Sequence, residues 1–149
     1  MKIVLFQPQI PQNTGNIARS CAATGTGLVL VRPLQFSLSN RYMKRAGLDY
    51  WDSVSLELID DLPAFLEATE TPFFFFSSKA PRLYTEASYT ANSLLIFGSE
   101  TEGLPEPFWN RYPDCFYRIP MAREQRCLNL ASSAAIGLYE ALRQTGFIF

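Results

Sequence analysis

The chain has 149 residues, 48% hydrophobic and 18% charged, with a formal net charge of −1 and a pI near 5.4. These values suit one globular domain, residues 1–149, and exclude a disordered chain. They also argue against a general nucleic-acid-binding surface, so any RNA contact must rest on a local basic patch.

Ile3 to Phe6 reads as a first buried strand, and Gln7 to Gln12, with two prolines, as an extended segment. Asn13 or Thr14 is expected to cap a helix that turns Ile17, Cys21 and Ala22 inward and stops at Gly25 or Gly27. Leu28 to Val31 is a second strand closed by Pro33, and Ser39 caps a short helix carrying Arg41, Lys44 and Arg45 up to Gly47. An aromatic loop, Gly47 to Trp51, precedes a third strand at Val54 to Leu58. Asp60 or Asp61 then caps a helix with Pro63 in its first turn. Phe73 to Phe76 is a fourth strand and gives way to a loop, Ser77 to Arg82.

Leu94 to Phe97 is an unbroken apolar run that stops at Gly98, and the polar Ser99–Gly103 follows. A buried strand ending in a Gly-rich loop either builds a ligand site at the carboxyl edge of a parallel sheet or is an ordinary connection. Pro107 to Tyr112 forms one or two helical turns, Cys115 to Ile119 a last strand, and Met121 to Cys127 a polar loop. Leu128 to Gln144 is the strongest helix, with Leu130, Ala134, Leu138 and Leu142 on one stripe and Gly146 where a helix stop belongs. Its small residues, Ala131 to Gly137, allow a very close packing partner: either the chain's own sheet or a second copy in a homodimer. Strands and helices alternate throughout, which predicts an α/β fold with a parallel sheet and helices on both faces. The ends of three strands, at Phe76, Phe97 and Ile119, then bring three loops to one edge.

Several chemistries are excluded. There is no histidine, so His-based acid–base catalysis is ruled out. Cys21, Cys115 and Cys127 form no CxxC pair, so no zinc site, disulfide framework or other metal centre is expected. Gly25-Thr26-Gly27 is only a fragment of a GxGxxG and follows a helix, and Ser99 has no histidine partner. No run reaches membrane-spanning length and none reads as a leader, so a cytoplasmic protein is expected.

Three polar stretches together carry a resemblance. Asn13-Thr14-Gly15-Asn16-Ile17-Ala18-Arg19 is similar to the first motif of the SPOUT methyltransferases, and Phe97 to Pro105 to their second. Ile119-Pro120-Met121 followed by Asn129-Leu130-Ala131-Ser132 resembles their third. Order, spacing and length resemble the minimal TrmL type, tRNA 2′-O-methyltransferases acting on the wobble nucleotide, cytidine or a modified uridine at position 34. The resemblance implies a deep trefoil knot in the C-terminal part, an obligate homodimer, and S-adenosyl-L-methionine as cofactor, with S-adenosyl-L-homocysteine as product. The cofactor would be held around Phe76, Gly98, Glu100, Gly103, Ile119, Met121 and Cys127. Arg19 would be the catalytic residue, assisted by Asn13 and Asn129. Arginine side chains are cations near neutral pH, so Arg19 either acts as the base or fixes the substrate phosphate and hydroxyl. Methylation of ribosomal RNA, or a dimeric SAM- and RNA-binding module without turnover, are the alternatives.

For a tRNA anticodon stem-loop the basic patch would comprise Arg41, Lys44, Arg45, Lys79, Arg123 and Arg126, with Arg19 and Arg82 beside them, and one subunit would supply part of the other's site. Unpaired bases would stack on aromatics such as Tyr42 or Trp51. Charge reversal at Lys44 and Arg45 is therefore expected to weaken tRNA binding, leaving S-adenosylhomocysteine affinity unchanged. Each lost phosphate contact removes about 0.7 from the magnitude of the salt slope. A salt titration of tRNA affinity for the double variant checks this.

Overall fold

Short apolar runs separated by helices leave the chain one economical arrangement, a parallel sheet whose crossovers are helical. The computed structural model describes residues 1–38, 53–122 and 127–148. Its strands are β1 (Lys2–Phe6), β2 (Gly27–Val31), β3 (Leu56–Ile59), β4 (Phe73–Phe76), β5 (Arg82–Leu83), β6 (Leu94–Phe97) and β7 (Phe116–Arg118). Its helices are α1 (Pro11–Thr24), α2 (Leu62–Glu67), α3 (Glu106–Arg111) and α4 (Leu130–Gln144). The strand order is β3-β2-β1-β6-β4-β7-β5, and every pairing is parallel.

Because side chains alternate across a strand, each apolar run fills two cores. Ile3, Leu5, Leu28, Leu30, Phe74, Phe76, Leu95 and Phe97 pack under α1 and α4. Val4, Val29, Val31, Phe75, Leu94, Ile96 and Phe116 pack under α2 and α3 on the other face. The expected strands at the sheet centre and the expected faces of α4 are all present. Ala134, Leu138 and Leu142 are buried and Leu130 is half-buried against the same cluster.

The differences lie at element ends. α1 begins at Pro11, not after Asn13: proline at the first position presets the helical backbone, and Ile10 precedes it without a side-chain cap. Asn13 and Thr14 are therefore buried inside the first turn and cap nothing. The third strand spans Leu56–Ile59, where Leu28 pairs with Leu56, and Cys115 lies in a 3₁₀ turn ahead of β7. β5, two residues long, has no apolar pattern to announce it. Asp61 caps α2 as expected, its carboxylate accepting from Ala64 N at 2.9 Å. The expected helix from Ser39 to Gly47 and the aromatic loop after it lie outside the described residues.

The small-residue run of α4 meets its own sheet at Gly137. A Cβ there would lie 2.9 Å from the Phe76 ring and 3.3 Å from Phe97, and those two rings stack at 4.5 Å. Glycine in a helix interior costs about 1 kcal/mol, and here it lets the helix sit directly on the aromatic pair. Ser132, Ile136 and Tyr139 face away from the sheet and are exposed. Gly137→Val is expected to destabilise the protein by about 1–3 kcal/mol through overpacking. A lowered urea midpoint at unchanged slope would show it.

Candidate active site

In a parallel sheet all carboxyl ends lie on one edge, so β1, β4, β6 and β7 deliver their following loops together. These loops and the start of α4 enclose a cavity of about 520 Å³. Its walls mix apolar side chains (Phe76, Phe97, Leu104, Ile119, Met121, Leu128, Leu130) with Ser77, Ser99, Glu100, Thr101, Asn13, Asn129 and Lys79.

The loop after β6 is shaped by its two glycines. Ser99 and Gly103 face each other as an antiparallel bridge, with N–H···O bonds of 3.2 and 3.0 Å in the two directions. Gly103 has φ of +71°, and a Cβ on Gly98 would lie 2.2 Å from the carbonyl carbon of Gly103, so no side chain fits at Gly98. The pinched loop directs Glu100 toward the segment after β1. One carboxylate oxygen accepts from Gln9 N at 2.8 Å, and the other accepts from Ile10 N and from Asn13 Nδ2, both at 3.1 Å. Gln9 answers in the other direction, its Oε1 accepting from Thr101 N at 3.2 Å and from the Thr101 hydroxyl at 2.8 Å.

With its amide nitrogen committed to Glu100, Asn13 turns its oxygen toward Asn129, whose Nδ2 donates to it at 2.9 Å. Asn129 then presents its own oxygen to Ala131 N at 2.9 Å and Ser132 N at 3.3 Å, capping α4. One hydrogen-bonded chain thus connects the second motif, the first and the third. Glu100 ties its loop to the segment after β1.

Asn13, Phe76, Lys79, Gly98, Glu100, Gly103, Ile119, Met121, Cys127 and Asn129 all line the cavity. Arg19 does not: it is exposed on α1 and absent from the lining of its own chain's cavity. Arg82 is not at the cavity either, being paired with Asp114 at 2.8 Å and set over the Tyr117 ring. Arg41, Lys44, Arg45, Arg123 and Arg126 lie outside the described residues. Sequence reasoning missed Trp109, which reaches the cavity from α3. Nothing in the Pro107–Tyr112 segment marked it, because its place depends on α3 folding back against β7. Among the described residues no cluster of His, Cys, Asp and Glu could hold a metal ion, and no helix is long and apolar enough to cross a membrane.

Residues 1–139 match the SpoU rRNA Methylase family, and the chain belongs to it. It is a methyltransferase whose single-domain α/β fold matches solved structures of SpoU methyltransferases. The tRNA (cytidine(34)-2′-O)-methyltransferase of Methylovorus glucosotrophus is 43% identical over 147 residues, covering 97% of this chain and 96% of that one. A solved structure described as giving insights into the 2-OH methylation of C/U34 on tRNA superposes with a TM-score of 0.88. It is 47% identical and covers 96% of this chain and 94% of its own. The AdoMet-bound rRNA methyltransferase of Sinorhizobium meliloti superposes with a TM-score of 0.84 at 26% identity, over 95% of this chain and 55% of that one. The resemblance carried by the three motifs is borne out at the level of the family.

The cysteines report on this geometry. Burial pushes the Cys21 thiol up to about 12 and raises Cys115, whereas Cys127 is exposed at the cavity mouth. Because the thiolate is the reactive form, iodoacetamide at mildly alkaline pH is expected to label Cys127 in the folded protein and Cys21 only after denaturation. Peptide mass mapping distinguishes the two.

Proposed function

We propose that the protein transfers a methyl group from S-adenosyl-L-methionine to the ribose 2′-hydroxyl of the wobble nucleotide, position 34, of tRNA. The observation that carries the reading is the joining of the three family motifs, through Glu100, Asn13 and Asn129, around one cavity of small-molecule size. The lining fits the cofactor. Ile119, Met121 and Leu130 offer apolar contact to a purine, and the hydroxyls and main chain around Ser77, Ser99 and Asn129 offer partners to a ribose and an amino acid. When bound, the cofactor supplies a sulfonium methyl group that a ribose oxygen accepts as the hydroxyl loses its proton.

The chain's own contribution is positional. Asn13 and Asn129 have both amide orientations fixed by Glu100 and by the first turn of α4, so they meet a substrate without reorganising. Arg19 stands on the helix that carries Asn13 but outside its own chain's cavity, which supports a site completed by a second copy. Exposed Ile136 and Tyr139 on α4, with Leu128, Phe147 and Ile148 flanking it, support the homodimer. α4 follows β7 in the chain yet packs on α1 and β6, with β4 standing between β6 and β7 in the sheet, and this return supports the C-terminal knot of the family.

The test is methylation of purified tRNAs with S-adenosylmethionine, followed by nucleoside mapping. Incorporation at the 2′-oxygen of nucleotide 34 is expected, and incorporation elsewhere or none at all would refute the proposal. Arg19→Ala should lower kcat by about 10²–10⁴-fold, the usual range for loss of a group acting on the transferred proton or its site, without weakening S-adenosylhomocysteine binding. Sedimentation should give a species of twice the 16.9 kDa chain mass. Activity regained on mixing Arg19→Ala with Asn129→Ala protein would place Arg19 in the partner's site.

A further inference from the structure

Beside the main cavity lies a second concavity of about 390 Å³ lined by Lys79, Leu104, Glu106 and Trp109, the first two and Trp109 also lining the cavity itself. Trp109 is held from behind. Its indole lies flat on the fully buried Phe116, with centroids 3.6 Å apart and planes 15° from parallel. The ring is therefore fixed, and the part Phe116 leaves uncovered faces the two hollows.

Two opposite charges line the hollow beside this ring. Lys2, Arg32, Arg82, Arg111 and Arg143 each have a carboxylate partner. Lys79 and Glu106 are both exposed and share the concavity, yet neither makes an ion pair among the described residues. An aromatic shelf thus shares one hollow with an ammonium and a carboxylate that have no ion-pair partner among the described residues. A nucleotide presents the complementary set: a π-face for the indole, a phosphate for the lysine and, in cytosine or adenine, an exocyclic amino group for the carboxylate.

We propose that this concavity is a subsite for one unpaired base of the RNA substrate, adjacent in the strand to the methylated nucleotide. Trp109 stacks the base, Lys79 holds its phosphate and Glu106 selects for an exocyclic amino group. The shared wall makes the assignment to a neighbouring nucleotide, since Lys79, Leu104 and Trp109 border both hollows. The inference rests on the reading of the chain as an RNA ribose methyltransferase.

The experiment uses the Trp51→Phe protein, in which Trp109 is the remaining tryptophan and the replaced position keeps an aromatic ring. The protein is saturated with S-adenosylhomocysteine and titrated with a dye-labelled tRNA anticodon hairpin, anisotropy and tryptophan emission being recorded together. Emission should be quenched in step with binding, and Trp109→Leu should weaken binding by about five- to 150-fold, the range for a lost stacked base. Because Trp109 also packs on the core, exposed Glu106 supplies the second arm. Glu106→Ala should remove the preference for cytosine over uracil at the flanking loop position, leaving S-adenosylhomocysteine affinity at its parental value. RNA binding with Trp109 unquenched, or with the cytosine preference intact in Glu106→Ala, overturns the subsite. A parent protein that binds S-adenosylhomocysteine but no RNA overturns the underlying reading, and the subsite with it.

Discussion

One carboxylate sets the geometry on which the rest of the site depends. Glu100 accepts from two main-chain amides and one side-chain amide of the segment after β1, and that third bond decides which way Asn13 faces. Asn13 in turn decides Asn129, and Asn129 decides where α4 starts. Hydrogen bonds to a charged group are worth about 1.5–3 kcal/mol each when shielded, and less here because Glu100 is only half-buried. Their larger effect is on uniqueness: each amide has one orientation that satisfies its neighbours, so the two asparagines at the cavity are oriented before any ligand arrives.

Beneath this polar chain the floor is aromatic. Phe76 and Phe97, the last residues of adjacent parallel strands, stack on each other and carry Gly137 of α4 on their upper side. The same strand ends open directly into the loops that line the cavity. Packing and function are thus joined without an intervening flexible segment: any shift of α4 on the ring pair moves Asn129 with it, and any shift of β6 moves Glu100.

The central strands were legible because each is a short, fully apolar run buried on both faces, and the α4 stripe because its period is that of a helix. Residues whose place depends on distant partners were not. Asn13 looked like a helix cap from its local sequence, yet Pro11 starts the helix and frees the Asn13 side chain for a carboxylate in another motif. Glu100 was expected at the cofactor, but its bonds to Gln9 and Ile10 have no sequence signature. Trp109 was hidden for the same reason, its stack on Phe116 existing only once α3 packs on the sheet. Arg19 is the converse case: the motif resemblance implied a part in the chemistry for it, and the geometry of one chain leaves it outside the cavity.

The bond between Asn129 and Asn13 joins residues 116 positions apart, near the two ends of the chain. β1, beside the central strand β6, likewise waits for β6 before its second side is paired. During synthesis the N-terminal half therefore leaves the ribosome with an open sheet edge, which β6 closes, and an unfinished site, which only the last helix closes. A prematurely terminated product keeps much of the sheet but has no roof over the cavity, so ligand retention distinguishes complete chains from truncated ones. Long-range closure of this kind is slow, and a ligand bound to the finished site would act as a latch on the C-terminal helix, the element on which the completed site depends.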